Sequence, residues 1–351
     1  VALAETPVDE IHRAVPGALL GGLESMELAG TFSWDLDLRA NLSSIGESAW
    51  TADSALEGFA VRAIPETMNP FRLNDSFVHV ISDETVGYRR AVRIPATVLP
   101  GLEWMLEHSE HTSRQIARWR VADEAIREEV AANPPVEVPV AYPAARDAAA
   151  GPSPDPTYNY VRLEQMSPWV VRAVLTAEDG DFFFHDGVNF YTLPRALERN
   201  VAAGEIQFGA STISMQVVKM LFLDQQRLVS RKLQEAFLVY LMEQQVPVAK
   251  SRILEIYVNI AEFGPGVFGI ADAARYYFGK SAAELSAGEA TWLASILPSP
   301  KRYHQYYESG FISDGWFERM KSYFDIMLER GRMTESEYEA ATRRPPRFEL
   351  R

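Results

Sequence analysis

The chain has 351 residues, long enough for two or three domains, and 47% of them are apolar, so sizeable cores can form. Thirty-four basic against 48 acidic residues give a formal charge of −14, which argues against nucleic acid as a general partner. The absence of cysteine excludes disulfides, thiolate catalysis and cysteine-ligated metals.

Residues 28–42 alternate, with Phe32, Trp34, Leu36 and Leu38 on one face and Thr31, Ser33, Asp35 and Asp37 on the other, a period that predicts a half-buried strand. GFAVRAIP, DSFVHVIS and YRRAVRIP predict further strands, and a helical stretch follows over about 96–130. Residues 1–130 therefore form a small β-rich or α+β region to which no chemistry can be assigned. Between Ala131 and Pro156 the composition turns to proline and alanine, so 131–157 is expected to be a stiff linker, with few contacts crossing it and the part beyond folding alone. From there to about residue 335 the pattern is helical. SPWVVRAVLTAED opens on Ser167 and Pro168, a helix start, and RKLQEAFLVYLMEQQ and KSRILEIYVNIAEFG have amphipathic spacing. Residues 336–351 are left as a carboxy-terminal tail.

No stretch approaches the roughly 20 apolar residues of a membrane helix. The chain begins at Val1 without a basic-then-apolar leader, so a processed chain with any anchor upstream is expected.

Chemistry-bearing residues concentrate in four ordered motifs: AEDGDFFFHDG from Ala177, GASTISMQVVK from Gly209, RKLQE from Arg231 and KSRILEIYVN from Lys250. Glu178 ends an apolar helix, where a carboxylate opposes the helix dipole, a placement stability alone would not select. Lys219, Arg227, Arg231 and Lys232 are cations of the kind that hold phosphate oxygens. From Lys219 to Arg252 six basic residues stand against three acidic ones, an excess of +3 within a remainder of −17, as a confined anion site requires. Glu235 follows Arg231 by one helical turn, so an intrahelical ion pair is also open to it. An acid beside a cation cluster suggests transfer of a sugar from a diphosphate.

At these residues the chain resembles the peptidoglycan glycosyltransferases of family 51, the polymerase module of bifunctional penicillin-binding proteins and of monofunctional transglycosylases. E-D-x-x-F-x-x-H-x-G is met by Glu178, Asp179, Phe182, His185 and Gly187. The second motif is met by Gly209, Ser211, Thr212, Ile213, Gln216 and Lys219, with Ala210, Ser214 and Met215 departing conservatively. Arg231, Lys232 and Glu235 match R-K-x-x-E, and the fourth motif is matched in full. The likeness covers roughly 158–330 and implies a mainly α, two-lobed, lysozyme-like domain over 158–335.

The resemblance also implies roles. Glu178 would be the base that deprotonates the acceptor 4-hydroxyl, and Glu235 a second catalytic acid near the diphosphate. Lys219, Arg227, Arg231 and Lys232 would hold that diphosphate, with Ser211, Thr212, Gln216, Arg195 and Asn200 completing the substrate site. Gln234 stands where some members have lysine. Asp179, Phe182, His185, Gly187, Gly209, Lys250, Glu255, Tyr257 and Asn259 would support the cleft. The implied activity is polymerisation of lipid II into β-1,4-linked glycan with inversion and release of undecaprenyl diphosphate, at the periplasmic face of the cytoplasmic membrane. Lipid II, the lipid-linked glycan and the outer leaflet would be partners, alongside other cell-wall synthesis proteins. No tightly bound metal is expected, although Mg or Mn could assist at the diphosphate. A lytic transglycosylase or muramidase-like hydrolase is the first rival, and a non-catalytic envelope scaffold the second.

Overall fold

The computed structural model describes residues 2–39, 49–83, 88–96, 160–189, 211–223, 229–245 and 248–349. In chain order the first elements are β1 (Ala2–Pro7), α1 (Val8–Ala14), β2 (Glu27–Arg39), β3 (Ala49–Ala63), β4 (Phe77–Asp83) and β5 (Tyr88–Ile94). The helices α2 (Pro168–Glu178), α3 (Ile213–Phe222), α4 (Val229–Tyr240) and α5 (Lys250–Ile260) follow, then β6 (Glu262–Gly264) and β7 (Val267–Phe268). The chain closes with α6 (Ile270–Phe278), α7 (Ala287–Ile296), α8 (Asp314–Glu329) and α9 (Glu335–Thr342). Two compact units result, one joining Val1–Pro70 to Phe222–Leu241, the other joining Phe71–Leu221 to Met242–Arg351.

In the first unit β1, β2 and β3 form an antiparallel sheet in that order, with Trp34 opposite Ser54 and Asp35 opposite Asp53. The alternating segment is thus a strand, as its period requires. Helix α4 belongs to this unit. Gln234 on α4 donates to Leu19 O at 3.3 Å, and Phe59 meets Tyr240 edge-on at 5.9 Å. Gly21 permits the close approach: its φ is +56°, and a Cβ there would stand 2.3 Å from Gln234 Nε2.

In the second unit β4 and β5 pair antiparallel, Phe77 opposite Ile94, and Ile94 is fully buried. The hairpin and the turn before it are tied to α5 by one side chain. Arg252 donates from Nε to Leu73 O at 2.9 Å and from Nη2 to Pro95 O at 2.6 Å. The expected linker at 131–157 and the helix expected over 96–130 lie outside the described residues. The two compact units divide at Pro70 and around α4.

The spacing of α5 predicts one buried face, yet every residue from Lys250 to Ile260 is buried. Its charged residues tolerate this because Lys250, Arg252 and Glu255 each have a buried ion partner. Trp292 on α7 packs against Tyr277 on α6 and against Phe348, both at 4.8 Å, so the carboxy-terminal segment returns to the core. Each fully buried apolar side chain of this kind contributes roughly 1.5–3 kcal/mol. Helix α9, which opens that segment, starts on a capping box between Thr334 and Glu337.

Candidate active site

Helix α2 starts where Ser167 Oγ accepts from Trp169 N at 3.4 Å with Pro168 in the first turn, and it buries Val170, Val171, Ala173, Val174 and Leu175. It stops after Glu178, because Asp179 leaves helical geometry at φ −159°. The next carbonyl, Gly180 O, accepts from Arg330 Nη1 at 2.8 Å and from Arg332 Nη2 at 2.9 Å. Two cations at a helix C-terminus offset its negative end and hold the turn that carries Glu178.

Asp179 is buried and joins the first motif to the second. It accepts from Ile213 N at 3.1 Å, which places a carboxylate on the amino end of α3, and from His185 Nε2 at 3.1 Å. Gly187 N donates to His185 Nδ1 at 3.1 Å, so Nε2 is the ring's donor. Gly187 itself sits at φ +90°, a region glycine enters without strain. Thr212 Oγ1 donates to Gly187 O and accepts from Met215 N at 3.2 Å. His185 and Asp179 thereby lock a loop onto a helix start.

Glu178 is held differently. Gln216 Nε2 donates to its Oε2 at 2.8 Å, while its Oε1 is buried without a hydrogen-bond partner. Burial pushes the Glu178 carboxyl above the ordinary glutamate range. The Gln216 bond, the Lys219 charge and Tyr257 oppose that rise, and Asp179 adds to it. Lys219 stands exposed on α3, and Ser211 lies half-buried just before that helix.

The fourth motif braces this centre. Lys250 pairs with Glu243 at 2.7 Å and lies 4.4 Å from the Phe182 ring centroid, and Glu243 also accepts from Ser214 Oγ. Glu255 accepts from Tyr160 OH at 2.6 Å, Leu163 N at 3.1 Å and Arg252 Nη1 at 2.9 Å. Asn259 accepts from Val161 N at 2.8 Å and donates to Val161 O at 2.7 Å. Tyr257 OH donates to Gln216 Oε1 at 3.2 Å.

The third motif lies in the other unit. Glu235 is 1% exposed, with Oε1 3.2 Å from Arg231 Nε and Oε2 against Lys232 Nζ. Both of its oxygens face cations of its own helix. Arg195, Asn200, Gly209 and Arg227 lie outside the described residues.

Several residues of the site carry no motif signal. Arg330 and Arg332 reach back about 150 residues to a backbone carbonyl, and Glu243 sits in a turn between motifs. Arg252 could have been found from its i,i+3 spacing to Glu255.

The transglycosylase family model matches residues 150–328. A biosynthetic peptidoglycan transglycosylase of Nitrosospira multiformis is 42% identical over 154 residues, 44% of this chain and 66% of the relative. One of Bordetella pertussis is 40% identical over 166 residues, 46% of this chain and 68% of the relative. One of Xylella fastidiosa is 44% identical over 164 residues, 46% of this chain and 66% of the relative. The aligned part thus spans about two thirds of each relative's length and less than half of this chain.

Proposed function

The chain belongs to the transglycosylase family of peptidoglycan glycosyltransferases, and we propose that it joins lipid II to a growing lipid-linked glycan in one inverting displacement, with Glu178 as the base. The acceptor 4-hydroxyl gives its proton to Glu178 Oε1 as its oxygen attacks the anomeric carbon of the donor's N-acetylmuramic acid. The bond from that carbon to the lipid diphosphate breaks, and undecaprenyl diphosphate leaves with the electron pair. Inversion in a single step needs one base and a stabilised leaving group, and no covalent carboxylate.

The observation that carries this reading is the unequal treatment of the two Glu178 oxygens, one held by Gln216 and the other buried and unpaired. A carboxyl raised by burial is a better base than an ordinary glutamate, provided the pH stays above its pKa. Lys219 is assigned to the diphosphate, where fixed positive charge stabilises the departing group, and Arg231 and Lys232 are cations of the kind that bind phosphate oxygens. Glu235 is assigned to orienting Arg231 and Lys232, the two cations it contacts. A divalent ion assisting at the diphosphate would draw on the substrate's own oxygens; among the described residues no group of His, Asp and Glu is arranged to hold a metal. The substrate places the reaction at the outer face of the cytoplasmic membrane. Among the described residues no helix is long and apolar enough to cross one.

The test is the full chain with labelled lipid II. Wild type should give long glycan, and Glu178→Gln should lose roughly 10²- to 10⁴-fold in turnover while melting cooperatively. Shortening of preformed glycan without polymer synthesis would favour the lytic reading, and near-normal turnover by the variant would remove Glu178 as the base.

A further inference from the structure

We propose that Tyr257 is a positioning residue for Glu178 and acts through the side-chain amide of Gln216. Three elements meet in this chain of contacts. Tyr257 on α5, 2% exposed, donates its hydroxyl proton to Gln216 Oε1 at 3.2 Å, and Gln216 on α3 donates from Nε2 to Glu178 Oε2, at the end of α2, at 2.8 Å.

A carboxamide has one accepting end and one donating end, whereas an ionised carboxylate only accepts. Next to ionised Glu178 the amide must present Nε2 to the carboxylate and Oε1 to Tyr257, and the phenol must then be the donor. The opposite orientation would set Oε1 against a carboxylate oxygen. Tyr257 therefore selects the amide orientation that favours the ionised base and ties down Oε2, leaving Oε1 as the open lone pair. The proton that Glu178 takes goes to Oε1, so Gln216 Nε2 keeps its bond to Oε2, and that bond is stronger while the carboxyl is ionised.

The phenol is fit for a donor's task, since burial, the neighbouring Glu178 and Asp179 and hydrogen bonding toward Glu178 itself push its pKa well above the usual tyrosine range; a direct Tyr257–Glu178 bond in place of the route through Gln216 would show as a further shift in the Gln216→Ala background. The charged and titratable groups facing Glu178 are Asp179 on its own turn, Lys219 on α3 and Tyr257 on α5.

The proposal rests on Glu178 as the base, so its test reads the carboxyl and the rate separately. In the full chain, Tyr257→Phe, Gln216→Ala and the double variant are compared by carbon-13 titration of the Glu178 carboxyl and by the pH profile of kcat with lipid II. Tyr257→Phe removes a hydrogen bond that supports the ionised form. Its carboxyl titration should move upward by about 0.5–1 pH unit. The acid limb of kcat should move with it, kcat on that limb should fall about 3- to 10-fold with KM little changed, and the melting temperature should stay near wild type. In the Gln216→Ala background Tyr257→Phe should add nothing to either readout. An unmoved titration in Tyr257→Phe, or an equal further shift in the Gln216→Ala background, would overturn the proposal. A titration that moves while the rate profile stays fixed supports the link to Glu178 and sinks the base reading instead.

Discussion

Two glutamates of the sequence motifs, Glu178 and Glu235, are treated differently by the fold. Each keeps one buried oxygen without a hydrogen bond, but Glu235, 1% exposed, has both oxygens at ion-pair distance from cations of its own helix, whereas Glu178 has an oxygen on the neutral amide of Gln216. A carboxylate at ion-pair distance from two cations is suited to anchoring those cations. One that is buried has its pKa raised, against the partial opposition of the Gln216 bond and the Lys219 charge, and can take a proton. Side chains of the same type thus divide the chemistry by environment, one suited to moving a proton and one to arranging positive charge.

The largest effect should come from neutralising each acid in turn. Glu178→Gln should remove roughly 10²- to 10⁴-fold of turnover with KM little altered. Glu235→Gln should instead raise KM and lower the melting temperature, because it removes the buried carboxylate that both Arg231 and Lys232 contact. If the two variants share one kinetic signature, the division of labour fails.

A second test uses an ion pair that has no chemical task. Arg252 and Glu255 are 1% and 3% exposed, and Arg252 also holds two backbone carbonyls from the β4–β5 region. Arg252→Met should cost about 3–5 kcal/mol in denaturant unfolding, and a chain beginning at Tyr158, which lacks both carbonyls, should melt below the full chain. Equal stability of the short and full chains would show that the hairpin is not part of the second unit's fold. Smaller still, Lys219→Ala should lower kcat by about 10²-fold, the worth of one fixed donor at a departing charge, and weaken moenomycin, a phosphoglycolipid probe of the donor site. Unchanged kcat and inhibitor affinity would place the diphosphate away from Lys219.

The smallest effect is on stability. The Glu178 carboxyl is raised in the folded chain, so folding favours its protonated form, and stability is lost as pH rises from the unfolded value of about 4.3 through the folded one. Glu178→Gln should therefore melt slightly above wild type at neutral pH, and the two should converge below pH 4. A variant that melts lower at neutral pH would contradict the burial of an uncompensated charge.

The site was legible where chemistry lies in consecutive residues. The first motif names Glu178, Asp179 and His185, and the helix start at Ser167 and Pro168 places the first two at a helix end. The helical spacing of Arg231 and Glu235 contains their ion pair. The backbone contacts of Arg252, Arg330 and Arg332 were not legible, because a carbonyl is an acceptor that every residue type offers alike. The grouping of α4 with the amino-terminal sheet depends on Gly21 admitting Gln234, a close approach that glycine permits without announcing. The spacing of α5 predicts an exposed face, but the Lys250–Glu243 and Arg252–Glu255 pairs and the bonds to Tyr160 and Val161 allow it to be buried.

The most direct test of the central claim is the pH dependence of kcat/KM for lipid II in the full chain. Because the base must be ionised, rate should be lost as pH falls through the raised Glu178 pKa, so the acid limb should lie above the ordinary glutamate value of about 4.3. An acid limb at or below that value, with the enzyme still folded, would contradict the assignment of Glu178 as the buried base.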